Sequence, residues 1–206
     1  IRVGIDAPPT VLDGRLFVRT LDNRLLAFDA RSGTPLWQHA GFAESTGMLG
    51  GAPPAATREL VIAAYSSGEV FALRWEDGRP LWSDSVLRPR RTLAIGDIAD
   101  ITAAPVIDGD RVYVASNGGE TAAISLQRGA RLWNVDLACR ETPWLTGNFL
   151  YVLSSRNEVV CLLGNGGHIR WVSPLGLLVQ PDNPDSRRVT WTGPLLAGDR
   201  LVLASS

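Results

Sequence analysis

Short apolar bursts separated by polar turns run the length of this chain, and they recur in a fixed register. The triplets Leu16-Phe17-Val18, Val61-Ile62-Ala63, Val112-Tyr113-Val114 and Leu150-Tyr151-Val152 each lie seven to nine residues after a proline, at Pro9, Pro54, Pro105 and Pro143. Eighteen residues after the same prolines stands a small residue, Ala27, Ala72, Ala123 or Cys161, followed by Phe28, Leu73, Ile124 or Leu162. Asp22-Asn23, Ser67-Gly68, Asn117-Gly118-Gly119 and Arg156-Asn157 separate the two runs. β-Branched and aromatic bursts bounded by such residues predict strands joined by hairpins.

The register extends to a tryptophan 28 residues after each proline and four after a glycine: Gly33/Trp37, Gly78/Trp82, Gly129/Trp133 and Gly167/Trp171. A constant internal period means stacked copies of one supersecondary unit. Each copy holds four strands: one after the proline, the apolar triplet, the run with the small residue, and a last one ending in the tryptophan. Only the stretch from one tryptophan to the next proline varies, being 17, 23, 10 and then 23 residues up to Pro194. A rigid four-stranded repeat with elastic connectors predicts an all-β fold, a β-propeller with four-stranded antiparallel blades.

The expected blade units are 1–41, 42–86, 87–137, 138–175 and 176–206, all within one propeller domain. The last holds Pro194 and the triplet Leu201-Val202-Leu203 before the sequence stops, so about four and a half blades are expected. The four tryptophans are expected to be structural, each indole packing on the neighbouring blade with its N–H capping a backbone group. Gly33, Gly78, Gly129 and Gly167 are expected at turn positions of positive φ.

Composition excludes little and adds little. A chain of 206 residues can bury a sizeable core, and a formal net charge of −1 gives no electrostatic reason to expect nucleic acid. All cationic side chains are Arg. No apolar run approaches the roughly 18 residues of a membrane span. Cys139 and Cys161 are not at metal-ligand spacing; Cys161 occupies an alanine slot, and spacing leaves a disulfide open. His39 and His168, beside the tryptophan turns, read as solvated loop residues, and the Asp182-Asn183 loop as a surface turn. No phosphate loop, metal-ligand motif or nucleophile with its base is legible, so no catalytic, cofactor-binding or metal-binding residue is expected.

The segment from Asn23 to Trp37, with Ala27, Phe28, Asp29, Gly33 and Trp37, resembles the quinoprotein-type propeller repeat. That repeat is shared by quinone-dependent dehydrogenases and by the BamB family of outer-membrane protein assembly factors. The stretch Asp100-Ile101-Thr102-Ala103-Ala104-Pro105-Val106, with Asp108-Gly109 and Val112-Tyr113-Val114, is similar to a BamB blade, as is the connector from Leu87 to Ala99. The quinone enzymes resemble one another in an adjacent Cys-Cys pair that this chain lacks.

The BamB resemblance implies a propeller of eight blades and a non-catalytic scaffold without cofactor. It implies a lipoprotein in the periplasm, attached to the outer membrane by an anchor outside this sequence. The implied partners are proteins: the periplasmic domains of the barrel-inserting subunit BamA, and unfolded outer-membrane proteins. By match to the family, the partner loops are 46–51 and 95–100, with Met48 and Leu49 as an apolar anchor and Asp97 and Asp100 as complementary charge. Where the family carries an Arg in the first loop, this chain has Gly50 or Gly51. The other functions such a repeat serves are a quinone-dependent dehydrogenase, of which this would be a fragment, and a propeller that binds a ligand or peptide.

Overall fold

A computed structural model describes residues 3–42, 51–86, 101–183 and 185–206. Every named element is a strand. β1 (Thr10–Leu12), β2 (Arg15–Thr20), β3 (Arg24–Asp29) and β4 (Pro35–Ala40) form one antiparallel meander. β5 (Ala55–Ala56), β6 (Leu60–Ala64), β7 (Glu69–Arg74) and β8 (Pro80–Ser85) form the second. β9 (Val106–Asp108), β10 (Arg111–Ala115), β11 (Thr121–Ser125) and β12 (Arg131–Val135) form the third. The fourth holds β13 (Trp144–Thr146), β14 (Phe149–Leu153), β15 (Glu158–Leu163) and β16 (Ile169–Pro174); β17 (Trp191–Ala197) pairs with β18 (Arg200–Ser205).

The sheets stand side by side with their first strands innermost, β1 beside β5, β5 beside β9 and β13 beside β17. The all-β architecture with four-stranded antiparallel blades is therefore present, and period-2 geometry explains how it packs. Successive residues of a strand face opposite sides of their sheet. In β6 this sends Val61 and Ala63 to a core shared with Phe17, Leu25 and Ala27 of the first blade. Leu60, Ile62 and Ala64 of the same strand join Val112, Val114 and Ile124 of the third blade. Tyr113 and Ala115 then turn to Leu150, Val152 and Val160 of the fourth. The middle strands are covered on both faces, which is why they read as unbroken apolar runs, and each apolar core fills a seam between two blades.

Each outermost strand carries the same irregularity. Ala27, Ala72, Ala123 and Cys161 lie directly opposite Trp37, Trp82, Trp133 and Trp171, and immediately beyond that pair the register slips by one residue. The skipped residues are Leu36, Leu81, Leu132 and Arg170. A bulge leaves its extra residue outside the ladder; Leu36, Leu81 and Leu132 are accordingly exposed despite being apolar. The residue facing the indole is small in every blade.

Antiparallel order puts the β3–β4, β7–β8, β11–β12 and β15–β16 turns, which hold the Gly–Trp motifs, on one face of the molecule. The β2–β3, β6–β7, β10–β11 and β14–β15 hairpins share the opposite face with the connectors between blades.

Candidate interaction face

On the turn face the indoles bridge blades by one repeated contact. Trp37 Nε1 donates to the Trp75 carbonyl at 3.0 Å, Trp82 Nε1 to Leu126 at 2.8 Å and Trp133 Nε1 to Gly164 at 2.8 Å. Each acceptor lies three residues after the small residue of the following blade. Each indole also lies on the next blade's turn glycine. A Cβ on Gly78 would come within 2.5 Å of Trp37, one on Gly129 within 2.5 Å of Trp82, and one on Gly167 within 2.7 Å of Trp133. These glycines also have φ near +70°, so conformation and space both demand glycine.

The geometry differs from the expected pattern at both ends of the series. Gly33 keeps φ +71° but meets nothing within 4 Å, and Trp171 remains 41% exposed beside Tyr151.

Met48, Leu49, Asp97 and Asp100 lie outside the described residues, as does Gly50. The stems of the first loop are described, and a polar cluster holds both. On the incoming side, Asn23 Nδ2 donates to the Phe42 carbonyl at 2.8 Å, and Phe42 N–H donates to Glu69 Oε2 at 3.2 Å. On the outgoing side, Gly51 N–H donates to the Asp6 carbonyl at 2.8 Å. Asp6 and Arg19 form an ion pair at 3.5 Å with both side chains buried, and Arg19 also donates to Asn23 Oδ1 at 3.1 Å. Gly51 lies against this pair, where a Cβ would stand 2.5 Å from Asp6 Oδ2 and 2.7 Å from Arg19 Nη1. A side chain at position 51 would have to displace this ion pair, a physical reason for glycine there.

The same cluster reaches a half-buried histidine. His39, expected as a solvated loop residue, sits in β4 with its ring 4.7 Å from Phe71 and its Nδ1 sharing a 2.8 Å hydrogen bond with the Tyr65 hydroxyl. Burial lowers the His39 pKa and raises that of Tyr65. His168 is exposed in its turn. Between the second and third blades, Arg131 pairs with Asp84 at 2.7 Å and with buried Glu120 at 2.7 Å, and also donates to the Ser85 carbonyl. Asn134 Nδ2 donates to the same Glu120 oxygen at 2.5 Å.

Both cysteines are free and buried, and burial pushes the Cys139 thiol up to about 12, leaving it protonated at neutral pH. No group of three or more His, Cys, Asp or Glu able to hold a metal occurs among the described residues. The chain holds no adjacent Cys pair.

Residues 2–173 match the family model described as outer membrane protein assembly factor BamB. The chain belongs to the BamB family. A BamB from Moranella endobia is 22% identical over 200 residues, covering 97% of this chain and 49% of that protein. The crystal structure of BamB from Moraxella catarrhalis superimposes with a TM-score of 0.83 at 22% identity, over 98% of this chain and 59% of that one. Quinohemoprotein alcohol dehydrogenase from Comamonas testosteroni shares the fold, with a TM-score of 0.73 at 17% identity over 84% of this chain and 35% of its own. The chain spans about half or less of the length of the curated relatives it matches.

The polar cluster at the stems of the first loop was not singled out in the sequence. Its signal was present, because Arg19 directly follows the apolar run Leu16-Phe17-Val18 within β2, and an arginine inside a strand of a packed core needs a buried acid.

Proposed function

We propose that this chain forms part of a non-catalytic scaffold for outer-membrane protein assembly and uses its connector face to hold protein partners. Membership of the BamB family supports the general role. The observation that carries the reading is the buried cluster of Asp6, Arg19 and Asn23, which with half-buried Glu69 fixes both stems of the connector ahead of β5. Loops positioned by a rigid framework are where binding residues concentrate. A buried ion pair is a costly device for shaping a mere spacer.

In this reading the partner is the periplasmic region of BamA. Met48 and Leu49 supply an apolar anchor, and Asp97 and Asp100 set orientation by charge. The site of action is the periplasm, with attachment to the outer membrane through an anchor outside this sequence. Unfolded outer-membrane proteins are a second class of partner. Capture of the BamA periplasmic region on immobilised protein tests the loops. Leu49→Asp and Asp100→Arg together should abolish retention while leaving the thermal unfolding midpoint unchanged. Full retention by that double variant overturns the assignment.

The fold shared with a quinohemoprotein dehydrogenase is the basis of a second reading, a fragment of a quinone-dependent enzyme. Calorimetric titration of the full-length protein with the quinone and calcium tests it, and saturable heat would favour the enzyme.

A further inference from the structure

The connector face carries a second feature, three blades beyond the first loop. The segment leading from β16 to β17 folds back as a small antiparallel turn. Val179 N–H donates to the Arg187 carbonyl and Val189 N–H to the Leu177 carbonyl, each at 3.0 Å. The turn is tied to the β14–β15 hairpin, since Leu175 N–H donates to the Asn157 carbonyl at 2.8 Å and Asn157 Nδ2 to the Val189 carbonyl at 3.3 Å. Between hairpin and turn lies a space of about 630 Å³, bordered by Ser155, Arg156, Leu177, Arg188, Val189 and Thr190. A second space of about 360 Å³ adjoins it through Ser155, Asn157, Val189 and Thr190 and runs on past Arg140 and Glu141 to Trp191. The two form one bent cleft of a size that ligand sites use.

We propose that this cleft binds an extended, acidic segment of polypeptide. Arg156 and Arg188 both border the larger space, and neither has a carboxylate partner among the described residues. Two such guanidinium groups offer paired donors to carboxylates. Leu177 and Val189 give aliphatic contact, and the hydroxyls of Ser155 and Thr190 can meet main-chain groups. The cleft's length favours a chain over a small anion, because the second space adds hydroxyls and an indole, whereas its one cation, Arg140, is offset by Glu141. Arg156 also borders a smaller adjoining space together with Asp136 and Glu158, whereas Arg188 borders only the larger one, so Arg188 is the cation of the pair set away from those carboxylates. The walls are held by main-chain hydrogen bonds within the protein, so little ordering accompanies binding. The proposal does not depend on the loops ahead of β5 and β9.

Fluorescence anisotropy with a labelled, end-capped Leu-Glu-Val-Glu-Leu peptide tests it on the whole chain. Saturable binding is expected, weakened by salt as exposed charge pairs are. The Arg156→Glu, Arg188→Glu double variant should lower affinity at least about tenfold. Arg128→Glu, in a turn on the opposite face, should leave it unchanged. Absence of saturable binding, equal binding of the Gln-substituted peptide, or an equal loss in Arg128→Glu overturns the proposal. Binding of phosphatidylglycerol vesicles but not the peptide overturns it in favour of a lipid headgroup.

Discussion

At the residue scale, one glycine slot separates two effects that usually act together. Gly33, Gly78 and Gly129 share the same left-handed backbone, but only the last two lie under an indole from the preceding blade. Gly33→Ala should therefore cost only the conformational strain, about 1–2 kcal/mol. Gly129→Ala must also displace Trp82 and should cost about 2–4 kcal/mol. Urea unfolding of the two variants checks this, and equal losses would mean that the indole contact carries no weight. His39 gives a prediction of opposite character. Burial keeps its folded-state pKa below the ordinary 6.5, so the unfolded chain takes up the proton first as pH falls. The stability it contributes is complete above pH 6.5 and is lost as pH drops towards the folded pKa. Relative to His39→Gln, the native protein should lose thermal stability as pH falls below about 6.5, read from melting midpoints across a pH series.

At the element scale, the outer-strand bulge recurs in every four-stranded blade, and it was the feature least visible beforehand. Strand number and the apolar triplets follow from β-branched runs between turn residues, and the small residue opposite each indole is plain in the repeat. A one-residue slip in pairing leaves no comparable mark, because Leu36, Leu81 and Leu132 read as ordinary strand residues when they are in fact the exposed, skipped ones. The buried polar cluster was obscure for a related reason. Asp6 and Arg19 are 13 residues apart in sequence, and only the bridge of Ile5 to Thr20 brings their side chains together. The bulge makes its own prediction. Leu132→Gln should be nearly neutral, within about 0.5 kcal/mol. Deleting Leu132 should instead swing Trp133 off the fourth blade and lower stability by about 3–5 kcal/mol, the usual cost of losing a packed tryptophan. Tryptophan fluorescence and denaturant midpoints distinguish the two.

At the scale of the molecule, burial is uneven around the arc of blades. Every residue of β11 is buried between its neighbours, whereas β18 has none buried. Local opening tracks such differences in packing. Hydrogen exchange followed by mass spectrometry should show the amides of β17 and β18 exchanging at least about tenfold faster than those of β10 and β11, and uniform protection would contradict this picture. The seam cores also make the four complete blades mutually dependent, since the middle strands of the second and third blades each donate side chains to two of them. Loosening the second or the third blade therefore weakens the cores on both of its flanks.

The indole bridges and the connectors occupy opposite rims, and that separation has an engineering corollary. Tryptophan-to-carbonyl bridges tie neighbouring units on one rim, so on the far rim the stretch between held connector stems is the part open to rewriting. Foreign peptides spliced into a connector would be displayed on a frame whose geometry does not notice them, and natural variation in those same stretches can alter what the molecule recognises without retuning how it folds.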